Sequence, residues 1–218
     1  MSELNPFQPG AQLGRYEIVR PLGKGGMGQV YLARDGMLQR EVVIKTLSRE
    51  VSDQAVLERW RREILTMARV NHPNVISIYD AEFGGGALGL SYIVMEYAAL
   101  GSLQDELEHL QGRATMMAVA QVLEIGIQVA QALCAVHGAG VIHRDIKPSN
   151  ILITRTPEGR VIYKLADFGI AIASDLPRVT STHSSLLTPL FAAPEQFASS
   201  KVDERADIYS LGATLWDC

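Results

Sequence analysis

The chain has 218 residues, 47% hydrophobic and 20% charged, with a formal net charge of −4 and a pI near 5.7. This is an ordinary globular composition, long enough for one large domain or two small lobes. A mildly acidic chain argues against a nucleic-acid binder, which carries a basic face. The two cysteines, Cys134 and Cys218, belong to no Cys/His cluster that would hold zinc and fit a reduced, intracellular protein.

Met1 to Gly10 lacks a basic region followed by an apolar run, so it does not read as a secretory signal. Residues 1–14 contain Pro, Gly and Gln and read as a loose, flexible arm. From Tyr16 the pattern turns to strands: 16–22, 29–34 and 41–47 carry β-branched or aromatic residues separated by glycine-bearing turns, as in an antiparallel meander. Ser52 or Asp53 is placed to cap a helix on which Val56, Leu57, Trp60, Ile64 and Met67 recur at helical spacing. Asn71-His72-Pro73-Asn74 breaks it. Strands are expected over 75–80 and 90–97, with Gly84-Gly85-Gly86 in the turn between them.

After Gly101 the character becomes helical. Ser102 opens a short helix, and a long one is expected from Thr115 to His137. Between Met116 and Gly140 the single formal charge is Glu124, so a membrane span has to be weighed. Gln121, Glu124, Gln128 and Gln131 share one stripe of that helix, and a lipid-facing helix would not keep such a stripe without partners. The expectation is a mostly buried core helix, with no membrane segment in this chain. Strands at 151–154 and 161–165 flank a turn at Thr156-Pro157-Glu158-Gly159, and 205–216 reads as a helix. Residues 170–192 have no clear period and many Ser and Thr, so they read as a long loop. The expected organisation is a small β-rich lobe, a connector near 96–101, and a helical lobe.

Gly23-Lys24-Gly25-Gly26-Met27-Gly28-Gln29-Val30 lies between two expected strands. Glycines let backbone N–H groups approach phosphate oxygens. A plain hairpin fits the same residues. A dinucleotide fingerprint would need a helix directly after the glycines, where Val30-Tyr31-Leu32-Ala33 looks like strand. In Val42-Val43-Ile44-Lys45 the lysine ends an apolar strand. Taken alone it is a solvated surface cation; with a phosphate flap upstream it becomes a phosphate ligand needing a counter-charge, for which Glu63 is the candidate. In His143-Arg144-Asp145-Ile146-Lys147-Pro148-Ser149-Asn150, eight residues hold a carboxylate to accept a hydroxyl proton, a lysine to steady a phosphoryl group and an amide oxygen for a metal. Asp167-Phe168-Gly169 follows the second short strand, where an aspartate suits a Mg²⁺ ligand.

These motifs, in this order, resemble those of the eukaryotic-type protein kinases. The forms Gly-Lys-Gly-Gly-Met-Gly-Gln-Val-Tyr, Tyr92-Ile93-Val94-Met95-Glu96-Tyr97 and Ala193-Pro194-Glu195-Gln196 are most similar to the bacterial Ser/Thr kinases. The resemblance runs from about Tyr16 to the end. It implies an α+β, two-lobed kinase fold: an arm at 1–14, an ATP-binding lobe at 15–96 with an antiparallel sheet and one helix, and a mainly helical, incomplete catalytic lobe at 97–218.

It also implies roles. Leu22, Gly23, Lys24, Gly25, Gly26, Met27, Gly28, Gln29 and Val30 would cover ATP. Lys45 would bind its α- and β-phosphates and pair with Glu63. Val43 would lie over adenine, Met95 would be the gatekeeper, and Glu96 to Ala98 would hydrogen-bond the base. Asp145 would be the catalytic base, Lys147 would contact the γ-phosphate, and Asn150 and Asp167 would hold Mg²⁺, or Mn²⁺ in its place. His143, Phe168 and Met67 would form a stacked spine anchored by Asp207, which makes His143 structural. Lys147, with Thr188 before Pro189, resembles the Ser/Thr rather than the Tyr subclass. Arg144 before Asp145 resembles kinases controlled by activation-loop phosphorylation. Thr180 and Thr182 match the family's autophosphorylation sites; Ser181, Ser184 and Ser185 are weaker candidates.

The implied setting is cytoplasmic, with any membrane anchor lying beyond residue 218. The implied partners are protein substrates and a second copy of the chain for autophosphorylation. Three positions depart from the family: Val43 for alanine, Leu187 for glycine and Phe191 for tyrosine. The chain also stops six residues after Gly212, where the family continues with further helices, including the arginine that would pair with Glu195. Two readings remain open: an active Ser/Thr kinase, or a truncated kinase fold acting as a non-catalytic nucleotide- or partner-binding module.

Overall fold

Runs of β-branched and aromatic residues separated by glycine-bearing turns form the first sheet. The computed structural model describes residues 7–25, 28–47, 54–84, 91–167, 190–198 and 202–218. These fall into two compact units, Met1–Leu57 with Ser77–Tyr97 and Glu58–Ile76 with Ala98–Cys218.

The first unit is a six-stranded antiparallel sheet. Its strands are β1 (Gln12–Leu13), β2 (Tyr16–Gly25), β3 (Gly28–Asp35), β4 (Arg40–Thr46), β5 (Ile78–Phe83) and β6 (Ser91–Glu96), in the order β1-β2-β3-β4-β6-β5. On one face Leu13, Tyr16, Ile18, Tyr31, Ala33, Val42, Ile44 and Val94 form a buried cluster. Each fully buried large aliphatic chain contributes about 1.5–3 kcal/mol. Val42, Val43 and Ile44 are all buried in succession, so β4 is covered on both faces.

Residues 7–13 correct the expectation of a loose arm. Phe7 stacks on Tyr31 with ring centroids 5.0 Å apart, and Gly10 N donates to Ile18 O while Ile18 N donates to Ala11 O. The Phe7 ring, these backbone bonds and buried Leu13 together tie the segment to the sheet. Near by, Arg15 Nη2 donates to Tyr16 Oη, which donates to Asp80 Oδ2. At the β3–β4 turn Asp35 Oδ1 accepts from the N–H groups of Met37 and Leu38. Burial pushes the Asp35 carboxyl up, but those bonds with Arg15 and Arg40 outweigh it and hold it below its usual range.

Helix α1 (Gln54–Met67) contains the division between the units, with Trp60, Ile64 and Met67 buried at the expected helical spacing. The expected cap at Ser52 or Asp53 lies outside the described residues.

The second unit is mainly helical, with α2 (Leu103–Gly112), α3 (Val119–Gly138), the hairpin β7 (Ile151–Arg155) and β8 (Val161–Leu165), α4 (Glu195–Ala198) and α5 (Arg205–Trp216). Ser102 caps α2 in a reciprocal box: Asp105 N donates to Ser102 Oγ, and Ser102 N to Asp105 Oδ2. Two boundaries differ from expectation. Val75 and Ile76 do not begin β5; Val75 bridges Leu165 and Ile76 N donates to Leu165 O, so they pair with β8. The long helix begins at Val119 rather than Thr115, because Thr115 closes the turn after α2: its N–H donates to Leu110 O and its hydroxyl to Arg113 O.

Helix α3 is long and apolar enough to cross a membrane, yet it packs on β8 and α5, and Gln121, Glu124 and Gln128 of its polar stripe are bonded within the unit. Gln121 Nε2 donates to Glu106 and to the Tyr163 hydroxyl. Buried Gln128 accepts from Asn74 Nδ2 and Tyr163 N, and donates to Glu124 and Val161 O. Only 33% of its apolar window is buried, which corrects the expectation of a mostly buried helix. Val119, Leu123 and Ile127, four residues apart, line its exposed side.

Candidate active site

In the first unit the glycine-bearing segment is a β-hairpin, with Gly23 paired to Val30, Lys24 to Gln29 and Gly25 to Gly28. A strand follows Gly28, so the helix that a dinucleotide fingerprint requires is absent there. A Cβ on Gly28 would stand 1.8 Å from Thr46 O, so only glycine fits where β3 leaves this turn. Gln29 N donates to Thr46 Oγ1, tying the turn to the end of β4. Leu22 is exposed, while Val43 is buried in register with Leu32 and Met95. Lys45 is half-buried, between Val30 and Ile93. Glu96 is fixed at the end of β6: its N–H donates to Ser77 O and its carboxylate accepts from Ser77 N. Gly26 and Met27 lie outside the described residues.

In the second unit Glu63 is half-buried on its stretch of α1, and Ala98 is buried. The loop from His143 to Asn150 runs between α3 and β7 and brings three of the expected residues together. Lys147 Nζ is 2.8 Å from Asp145 Oδ2, and Asn150 Nδ2 donates to the same oxygen at 2.9 Å and to Asp145 O at 2.7 Å. Pro148–Asn150 forms a short 3-10 turn, with proline at a position that needs no N–H donor. That turn folds Asn150 back over Asp145.

The loop is held from below by Asp207 on α5. Its Oδ2 accepts from His143 N at 2.8 Å and from His137 Nε2 at 2.7 Å, and its Oδ1 accepts from Arg144 N at 2.8 Å. Asp207 and His143 are both fully buried. His143 Nε2 donates to Ala166 O, and Asp145 N donates to His143 Nδ1. One ring nitrogen thus donates while the other accepts, as a neutral imidazole does. Burial pushes the His143 pKa down, consistent with that form. Ala166 N donates to Asn150 O, so the residue before Asp167 is tied to the loop on both sides. Arg144 and Asp167 both adopt positive φ, 66° and 61°. For residues other than glycine this costs about 1–3 kcal/mol and persists only where surroundings over-determine it.

Phe168, Gly169, Thr180, Ser181, Thr182, Ser184, Ser185, Leu187 and Thr188 lie outside the described residues. Asn74, Gln128 and Gln196 were not singled out for a role in the site. Gln128 stood in the polar stripe of α3, but its partners are far away in sequence. Gln196 closes the Ala193-Pro194-Glu195-Gln196 form, but nothing in that form points to its partner Arg144.

Residues 16–218 match the family "Protein kinase domain". The chain is 41% identical over 208 residues to the serine/threonine-protein kinase PknB of Mycobacterium leprae, covering 93% of this chain and 32% of that protein. It is likewise 41% identical over 208 residues to the serine/threonine-protein kinase PknJ of Mycobacterium tuberculosis, covering 95% of this chain and 34% of that one. The chain therefore spans about a third of the length of these curated relatives. Among solved structures, the PknI kinase domain of Mycobacterium tuberculosis superposes with a TM-score of 0.72 at 31% identity, over 95% of this chain and 75% of that one. The chain belongs to the protein kinase domain family, and its α+β architecture, an antiparallel sheet followed by a mainly helical unit, resembles that of bacterial serine/threonine kinases.

Proposed function

We propose that this chain is the catalytic domain of an ATP-dependent serine/threonine protein kinase, transferring the γ-phosphoryl of ATP to Ser or Thr hydroxyls of proteins. The observation that carries this reading is the cluster of Asp145, Lys147 and Asn150 on a loop clamped by buried Asp207. Asp145 accepts the proton of the attacking hydroxyl. Lys147, fixed beside that carboxylate, steadies the phosphoryl oxygens as charge spreads over them. Such a site does little covalent chemistry: it aligns hydroxyl and phosphate and offsets charge.

The donor set fits a hard divalent cation. Asn150 directs its amide nitrogen to Asp145, so its oxygen is the donor that remains, and Asp167 adds a carboxylate in the same unit. Mg²⁺, when bound by Asn150 and Asp167, supplies positive charge to the phosphates; Mn²⁺ satisfies the same oxygens. In the first unit the residues from Leu22 to Val30 cover the nucleotide and Lys45 takes the α- and β-phosphates. Val43, Met95 and Glu96 of the same unit receive the adenine. These assignments rest on matching positions in the family pattern.

Activation proceeds by autophosphorylation at Thr180 or Thr182, between two copies of the chain on the cytoplasmic side, where ATP is supplied. A phosphate adds about −1.5 to −2 charges, for which the Arg144 guanidinium is the partner. Mass-spectrometric mapping after incubation with ATP and Mg²⁺ tests this part, with the Thr180→Ala/Thr182→Ala pair beside it. Phosphate on either threonine, and slower transfer by the paired variant, is expected. Transfer to an added protein with neither threonine modified would remove autophosphorylation from the account. ATP binding without any transfer would favour the non-catalytic module.

A further inference from the structure

Gln196 lies outside every role assigned above, yet its side chain joins two segments far apart in sequence. Its Oε1 accepts from Ala193 N at 2.9 Å, and its Nε2 donates to Arg144 O at 2.8 Å. The Arg144 carbonyl belongs to the peptide group that links Arg144 to Asp145. The N–H of that same peptide donates to His143 Nδ1 at 3.3 Å. The peptide is therefore held on its oxygen edge by Gln196 and on its nitrogen edge by His143, and the bond from Gln196 is the shorter. One residue earlier, Arg144 N is held by Asp207 at 2.8 Å, and Arg144 itself sits at φ 66°. A left-handed non-glycine residue relaxes unless its neighbours prevent it. Rotation of the following peptide is the motion that would swing the Asp145 carboxylate.

We infer that Gln196 is a positioning residue for phosphoryl transfer: its amide N–H fixes the Arg144–Asp145 peptide and thereby aims the Asp145 carboxylate, linking the Ala193-Pro194-Glu195 segment to the catalytic loop. This rests on the reading of Asp145 as the proton acceptor. The side chain has two functions that substitution separates. Glutamate at 196 still accepts from Ala193 N but cannot donate to Arg144 O. Lysine at 196 donates to Arg144 O but cannot accept from Ala193 N. A misplacement of about 1 Å at a reacting group costs up to about a hundredfold in rate.

The test compares the whole chain with Gln196→Glu and Gln196→Lys, measuring kcat and the KM for ATP with a protein acceptor. Gln196→Glu is expected to lower kcat about tenfold or more at an ATP KM within about twofold, whereas Gln196→Lys keeps most of kcat. A second readout needs no turnover. Amide hydrogen exchange at Asp145 is expected to quicken in Gln196→Glu and to stay near the wild-type rate in Gln196→Lys. Loss of kcat in the lysine variant with retention in the glutamate variant would overturn the inference and assign Gln196 to bracing Ala193 alone. Wild-type kcat and exchange in Gln196→Glu would overturn it as well. A wild-type chain that transfers no phosphoryl, while exchange follows the expected pattern, would sink the role of Asp145 and leave the positioning intact.

Discussion

Replacing Asp207 with alanine removes the acceptor of two backbone N–H groups, those of fully buried His143 and half-buried Arg144, and the acceptor of His137. A buried donor left without a partner costs about 1–3 kcal/mol, so the two amides together cost about 2–6 kcal/mol. His137 is 17% exposed at its side chain and can turn to water, so its loss adds little. The net expectation is a loss of about 3 kcal/mol, a large share of a stability that in such domains is about 5–15 kcal/mol. Urea unfolding followed by circular dichroism measures it, with the denaturant slope checked for constancy. A loss below about 1 kcal/mol at unchanged slope would refute the reasoning, because the two amides would then have found other acceptors.

Gln128→Leu keeps the size of the buried side chain but leaves Tyr163 N without its acceptor and Asn74 Nδ2 with Tyr163 O alone, and should lower stability by about 1–3 kcal/mol in the same assay. A loss within experimental error would mean that the buried amide network contributes nothing net. His143 gives a pH prediction. Burial depresses its folded pKa below the ordinary value of 6.5, so its contribution is complete above that pH. The contribution is lost as pH falls from 6.5 through the depressed folded value, because the unfolded imidazole takes the proton first. Urea midpoints should therefore drop between pH 7.5 and 5 (a range of about two units around the histidine pKa), and His143→Gln should flatten that drop. Equal slopes in both proteins would contradict the assignment.

The grouping of Asp145, Lys147 and Asn150 was legible because they fall within one eight-residue stretch, while their proposed roles came from the family resemblance. The strands and the helix 205–216 were legible from period and turn residues. Asp207 was reached only through family resemblance: nothing local says that a carboxylate on an apolar helix collects N–H groups from residues 143 and 144. The bonds of Gln196 to Arg144 and of Gln128 to Asn74 were beyond sequence reasoning for the same cause, since those partners lie 52 and 54 residues away. Boundaries failed where one backbone group had two possible uses. Val75 and Ile76 look like strand and are extended, but their register belongs to β8. Thr115 looks like a helix start, and its hydrogen bonds close the preceding turn instead. Phe7 was hidden in polar surroundings, and its stacking on Tyr31 depends on the folded sheet.

The central claim is that Asp145 accepts the hydroxyl proton during phosphoryl transfer. The direct measurement is the steady-state rate of transfer from ATP to a Ser/Thr-bearing protein by the wild-type chain and by Asp145→Asn, with ATP affinity determined for both by calorimetry. Asparagine keeps the shape and can still receive a bond from Asn150, but it cannot take a proton. The account predicts a kcat lower by about 10²–10⁴-fold at unchanged ATP affinity. Equal rates in the two proteins would contradict it.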